Sequence, residues 1–424
     1  MIKLIKENKA ELIVGIIFIF FALGFNVYRV QSDGFIYYSF LERILHIPSP
    51  EFPSSYSNSG FRQAGCAFFN APFYLCAYLI ENLLHMQLNF NGITLRQISI
   101  NLASNFYLLI SLILSIKILK ILKFKFIISP ALLILFSTSA FMAAVIVPSF
   151  SHAVDIFVLT LFIYLFIKNE DARHQKSFWL GILYVISILV RYFNAVLIFP
   201  VLIYYLLRKD YQRIKYFIYG VIAFGWILPL ILYIFNGSPF SLTRSVRAES
   251  LIKQTLPVFP KYILKPLIHP LHGLFIWSPV TILSLFGLAT FPKEKARYGY
   301  LFLGIWAMFL VELGYMPFWY GGWSFSSRYL VSLFPIFIIG LASFLQRHDY
   351  KMCLFGWALT IYSIFVFLNW YLCIFQPEFE TPGAIVRAWS DGRSTFSPEV
   401  KVNAPEFFRS IWNVCRYKYI FKIF

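Results

Sequence analysis

Charge is what this chain has least of. Asp, Glu, Lys and Arg make up 13% of its 424 residues, against about a quarter in soluble domains. That leaves too little polar surface to solvate folded domains and excludes a cytosolic enzyme. A disordered chain needs low hydrophobicity with dense charge, whereas 59% of these residues are hydrophobic and 20% are aromatic. An integral membrane protein remains.

Other absences narrow the chemistry. The five cysteines (Cys66, Cys76, Cys353, Cys373, Cys415) are scattered and form no CxxC pair, so neither a zinc site nor a disulfide framework is indicated. No Walker A loop is present, which removes ATP hydrolysis as an energy source. There is no GxSxG and no His/Glu metal cluster. The 37 basic and 19 acidic residues give a net charge of +18. No helix-turn-helix, zinc-finger or RNA-binding signature goes with that excess, so nucleic acid is not an expected partner. Basic residues at the cytoplasmic ends of membrane helices account for it better.

Crossing a bilayer takes about 20 apolar residues. Runs of that kind lie near 12–30, 99–117, 127–147, 153–168, 215–235, 272–291, 298–316, 329–346 and 352–374. The stretch 177–207 holds two shorter crossings, broken at Arg191-Tyr192-Phe193-Asn194. The expectation is an all-α polytopic membrane bundle of about eleven transmembrane helices. Lys3, Lys6 and Lys9 precede the first run, but Leu12 to Val30 is too long for a signal-peptide core and reads as the first membrane helix.

Orientation follows from counting. With the N-terminus inside, the inward loops hold 19 of the 37 basic residues, in about 50 residues of loop against about 180 outward residues for the rest. The N-terminus is thus expected in the cytoplasm and the C-terminus outside. Residues 66–84 would reverse this count if they crossed, so they are laid on the outer interface as an aromatic-rich amphipathic helix. Residues 1–374 then form one transmembrane module with outward loops 31–98, 236–271 and 317–328, and 375–424 is a short outward tail. No inward loop exceeds about a dozen residues, which leaves no room for a cytosolic nucleotide-sugar site. No internal repeat is visible, which weighs against an inverted-repeat transporter.

Four outward places carry chemistry. Ser32-Asp33-Gly34, followed by Tyr37 and Tyr38, puts a carboxylate at the outer boundary, either as a general base or as a plain turn. In Pro148-Ser-Phe-Ser-His152, the histidine can donate to a phosphate, with Asp155 one helical turn on. The other reading is a helix cap by Ser151, with Asp155 favouring the helix dipole. Arg191 sits in the break at 191–194 and either snorkels to headgroups or points into a polar cavity, where its forked donors suit a phosphate. Trp319-Tyr-Gly-Gly-Trp323-Ser-Phe-Ser-Ser-Arg328-Tyr329 pairs a tight turn with an arginine, which is anion-binding chemistry. An aromatic belt explains Trp319 and Trp323 but not Gly-Gly with Arg. Pro270 to Pro279 is expected to re-enter the membrane from outside.

These motifs, in this order, resemble the GT-C superfamily of membrane glycosyltransferases, in the bacterial branch similar to protein mannosyltransferases and aminoarabinose transferases. The resemblance rests on SDGFIYY (32–38), FFNAPFY (68–74), the turn 148–152, GLFIWSP (273–279) and WYGGWSFSSRY (319–329), and it spans nearly the whole chain. It implies a GT-C-like bundle with interfacial helices in the first outward loop. It also implies an inverting enzyme of a bacterial inner or plasma membrane, working on the outer face. Such an enzyme moves a sugar from a polyprenyl-phosphate donor to a lipid, glycan or protein acceptor. By the same resemblance Asp33 is the base, Arg328 holds the donor phosphate with Arg191 and His152, and Tyr37, Tyr38, Trp323 and Tyr329 bind substrate. Asp33 stands alone where the family often has two adjacent acids, with Glu42 and Glu51 further on. No cofactor is implied, and the need for a divalent metal is left open. Two other classes remain: a flippase or carrier for a lipid-linked sugar, with Arg191 and Arg328 lining its path, and a polysaccharide polymerase or ligase using Arg244 and Arg247.

Overall fold

The computed structural model describes residues 8–28, 30, 33–45, 64–90, 92–170, 172–236, 262–269, 272–316, 319, 326–348 and 350–375. Within them almost everything is helix, apart from one antiparallel pair of two-residue strands, Asn89–Phe90 and Ile93–Thr94. The helices are α1 (Lys9–Phe25), α2 (Asp33–Leu45), α3 (Ala64–Leu83), α4 (Leu95–Ile121) and α5 (Ile128–Ser137). Next come α6 (Ser151–Lys168), α7 (Ser177–Val190), α8 (Ile198–Leu207), α9 (Tyr211–Gly225) and α10 (Ile227–Asn236). The last four are α11 (Val280–Ala289), α12 (Ala296–Tyr315), α13 (Phe334–Arg347) and α14 (Tyr350–Phe375).

Among the described residues five helices are long and apolar enough to cross a bilayer: Leu95–Ile121, Ser151–Lys168, Tyr211–Ile234, Lys293–Tyr315 and Arg328–Arg347. The bent pair Ile128–Ser137 and Ser139–Ile146 makes six. The chain is a membrane-embedded helical bundle. His174–Val190, Tyr192–Leu207, Val280–Ala289 and Lys351–Phe367 are apolar but shorter, so the count of eleven rests on the sequence. The window of the Arg328–Arg347 span is 89% buried and that of Tyr211–Ile234 only 22%. The first is therefore central and the second lies on the rim.

Two apolar runs differ from straight spans. The run 127–147 bends by 71°. Thr138 causes this: it is extended (φ −110, ψ 172), and its hydroxyl donates to the Ile134 carbonyl at 2.8 Å and accepts from the Ala140 N–H at 3.4 Å. The hydroxyl stands in for backbone bonds that a straight helix would have made. The run 12–30 stops at Phe25, because the strand-like residues after it are claimed by neighbours. The Val27 N–H donates to Val145, its carbonyl accepts from Asn101, and the Val30 N–H reaches the Gln97 side chain. The segment 66–84 falls largely on helix α3, whose aromatic and polar contacts with α4 lie between Arg96 and Tyr107, the first half of that helix.

The helices alternate, so their connections gather at two ends. At one end Lys120 pairs with Glu11 at 2.7 Å, Lys295 donates to the Leu122 carbonyl and Arg347 to that of Phe291. Glu170 collects Tyr204, Arg208 and Arg297 there, and Arg213 ties Asp210 to the carbonyls of Asn169, Glu170 and Ala172. These six basic residues, all assigned to inward loops from sequence, thus converge on one end. Arg191 lies at the other, where α4 and α6 begin and α7 ends.

Close backbone approach is what lets α7 and α9 pack. A Cβ on Gly220 would collide with the Phe178 carbonyl, whereas one on Gly225 would meet open space. Small residues at such crossings replace the hydrophobic drive that is missing in lipid. Gly220→Ala is expected to cost about 1–3 kcal/mol, read as a lower melting midpoint of the purified protein in detergent. Gly225→Ala is the control and should leave the midpoint unchanged or slightly raised.

Candidate functional site

The segment before α6 is built to be irregular. After the bend at Thr138 comes a π-turn, Met142–Ile146, then a buried turn through Pro148. Ser149 adopts φ +76, a left-handed conformation that costs a non-glycine residue about 1–3 kcal/mol. It is held there by its N–H, which donates to the Ser104 hydroxyl at 3.1 Å. Helix α6 then starts at Ser151 with Phe150 in the cap position and no side-chain cap. This corrects the reading of Ser151 as a cap. The turn is also not a solvated outward loop, since Ser149 is fully buried.

His152 and Asp155, one turn apart, face the break after α7. Helix α7 ends where Arg191 becomes extended (φ −151, ψ 127), and Tyr192–Leu197 continues as 3-10 helix. The Arg191 Nη1 lies 3.1 Å from His152 Nδ1, from Asp155 Oδ2 and from Ser332 Oγ. Ser332 also donates to Asp155 Oδ2, and Asn194 donates to Asp155 Oδ1 at 2.6 Å and to the Ser187 carbonyl at 2.9 Å. Arginine has no acceptor, so His152 Nδ1 must accept, and a neutral ring then carries its proton on Nε2. Arg191 is 3% exposed and Asp155 0%. Asp155 is thus the counterion of Arg191 rather than a helix-dipole residue, and Arg191 points into a polar interior instead of snorkelling.

Two rings cover this centre. Phe193 and Tyr329 stack at 5.5 Å and 10°. The Arg191 guanidinium lies 5.4 Å from the first ring and 5.2 Å from the second. Tyr329 also meets Arg328, whose guanidinium is 5.5 Å from that ring and 5.5 Å from Phe150. One tyrosine therefore bridges two cations through favourable cation–π contacts.

Further elements close in. Gly65 of α3 packs on the backbone of Leu189 and Val190. Cys66 accepts from Asn70 at 3.7 Å; burial, and then the Asp155 carboxylate, push its thiol up. Glu312 of α12 interacts electrostatically with Arg191 and Tyr184, and one of its carboxylate oxygens is buried with no hydrogen-bond partner among the described residues. Arg328–Leu333 is a 3-10 turn preceded by Ser326 at φ +55, whose hydroxyl lies 3.4 Å from that of Ser278. Trp319 is buried against His269 and His272 at 5.0 and 6.4 Å rather than placed in an aromatic belt. Trp319 and Ser326 are thereby joined to the segment 272–279.

The structure therefore brings His152, Arg191, Arg328 and Tyr329 together. Tyr37 and Tyr38 lie on α2. Tyr37 packs into the main core, and Tyr38 meets Tyr74 edge-on at 5.4 Å. Tyr74 accepts from Arg96 at 3.2 Å, and Arg96 pairs with Glu81 at 2.9 Å. Asp33 opens α2, and its side chain is outside the described residues, as is Trp323. Gly34, next to Asp33, packs directly on the Ser149 side chain. Asn194, Ser332, Cys66 and Glu312 were missed from sequence. Glu312 alone carried a signal, as the one acid in the run 298–316. Among the described residues no three His, Cys, Asp or Glu side chains converge as a metal site. No protein-family model matches the chain, and no curated protein matches it at a significant level.

Asp155→Ala leaves Arg191 charged and buried, and should cost about 3–5 kcal/mol. The measurement is the thermal melt of the purified protein. Asp155→Ala combined with Arg191→Met removes both charges and should recover most of the loss.

Proposed function

We propose that the protein is an inverting glycosyltransferase of the GT-C type, taking a sugar from a polyprenyl-phosphate donor. The observation that carries this reading is the meeting, at one end of the bundle, of segments distant in the chain: the 148–155 turn, the Arg191 break and the Arg328–Leu333 turn. Gly34, beside Asp33, packs on the first of them.

The chemistry is a single displacement. Asp33 takes the proton of the acceptor hydroxyl, and the oxygen attacks the anomeric carbon opposite the phosphate. The carbon–oxygen bond to the phosphate breaks, and polyprenyl phosphate leaves with the electron pair. A cation near that oxygen stabilises the developing charge. Arg328 takes that part by the resemblance, and Asp155 offsets the Arg191 charge. Arg191 acts through Tyr329, whose ring lies within cation–π distance of both arginines. His152, its Nδ1 engaged by Arg191, has Nε2–H left to donate to a phosphate oxygen.

The eleven-span count and the GT-C layout belong to this reading, with residues 1–374 as the enzyme and the basic end in the cytoplasm. The site then faces outward, on a bacterial inner or plasma membrane. Cysteine labelling tests this: His174→Cys should react with a membrane-impermeant maleimide only in inverted vesicles, and Gln87→Cys only in intact cells.

A flippase for a lipid-linked sugar is the second reading. The bend at Thr138 and the break at Arg191 favour it, since carriers are built on broken helices. Mass profiling of glycans and glycolipids separates the two. Cells lacking the protein should lose one hexose-sized addition, restored by wild type. Asp33→Asn and Arg328→Ala, at matched membrane expression, should cut the product by about 10²–10⁴-fold. Full restoration by the doubly neutralised chain would move the flippase ahead.

A further inference from the structure

The contact between α2 and the turn before α6 has a specific geometry. A Cβ built on Gly34 would overlap both the Oγ and the Cβ of Ser149, and would press on Val30. The only residue that fits opposite Ser149 is one without a side chain. Ser149 cannot easily retreat: it is fully buried, sits at φ +76, and its N–H is bonded to Ser104. Its hydroxyl finds no hydrogen-bond partner among the described residues, so its part in this contact is steric. The linker into α2 is pinned independently by Val27 on Val145, Asn101 on Val27 and Val30 on Gln97. Helix α2 is thereby seated against the same turn that carries His152, three residues beyond Ser149.

We infer that Ser149 is a positioning residue, a spacer that sets the distance between the start of α2, with Asp33, and the His152–Arg191–Arg328 group. The inference rests on the glycosyltransferase reading for the role of Asp33, but the contact itself does not. A misplacement of about 1 Å between a base and the reacting centre costs about a hundredfold in rate. Gly34→Ala overfills the contact and Ser149→Gly empties it, glycine being at ease at the same φ. The double variant moves a small side chain from one wall to the other and refills the space.

The test uses the full-length protein in a strain lacking its own copy. Two quantities are read: the melting midpoint of each purified variant in detergent, and the mass-spectrometric glycan product per folded molecule. Expected is a drop of about a hundredfold in product per folded molecule for Gly34→Ala, a smaller drop for Ser149→Gly, and recovery to within a few-fold of wild type in the double variant. The midpoint should show the same non-additivity. A merely structural contact would change the amount of folded protein and the midpoint but not the product per folded molecule. Wild-type product per folded molecule in Gly34→Ala overturns the positioning role, as does a double variant no better than Gly34→Ala. If wild type makes no product, the glycosyltransferase reading fails and the spacer role falls with it, while coupling of the two midpoints would still register the contact.

Discussion

A charge cannot be left alone inside an apolar bundle, and the pairing of Arg191 with Asp155 answers that constraint. Both groups are almost wholly buried, and the polar side chains bonded to them help to keep them there. Ser332 and Asn194 occupy the carboxylate oxygens, His152 takes a guanidinium hydrogen, and two rings cover the cation. The partners come from α6, from the link between α7 and α8, and from the turn before α13. One ion pair therefore ties three distant parts of the chain to a single point. The pair sits where the backbone is irregular: α7 stops at Arg191, and the chain before α6 bends and turns left-handed.

The opposite end is organised by the same rule under gentler conditions. Glu170 gathers Arg208 and Arg297, both partly exposed, and Arg213 is spread over loop carbonyls. Arg208 and Arg297 keep access to water, so their pairs with Glu170 contribute little net stability and their value lies in fixing the loops. Between the two ends, helix contacts are apolar and depend on close approach, as at Gly181 and Gly220. Polar irregularity is thus confined to the ends, and at the Arg191 end it coincides with the motifs that suggested chemistry.

The helices were legible because membrane spans announce themselves by length and apolarity, and the break at 191–194 because arginine and asparagine interrupt such a run. The bend at Thr138 was not legible. A threonine is nearly neutral in hydropathy, and nothing local says whether its hydroxyl will compete with the backbone. Asp155 was visible as a residue but not in its role, because its partner is 36 positions away. Ser332, 177 positions from Asp155, had no signal at all. The place of Trp319 was not legible for a related reason: an aromatic at a predicted boundary looks the same whether it faces headgroups or a pair of histidines. Side-chain identity announced the ingredients of the site. The pairings depended on three-dimensional crossings that one sequence does not encode locally.

The centre also imposes an order on synthesis. Ribosomes make Asp155 and His152 first, Arg191 next and Ser332 much later, and chains begin to fold from the N-terminus as they emerge. Helix α6 therefore enters the membrane bearing a carboxylate whose counterion has not yet been made. It gains that partner once α7 is in place and is fully enclosed only when the turn before α13 arrives. Assembly of this end of the bundle is thus completed late in translation, and a chain cut short before Ser332 would hold an open, half-satisfied centre of the kind that membrane quality control removes.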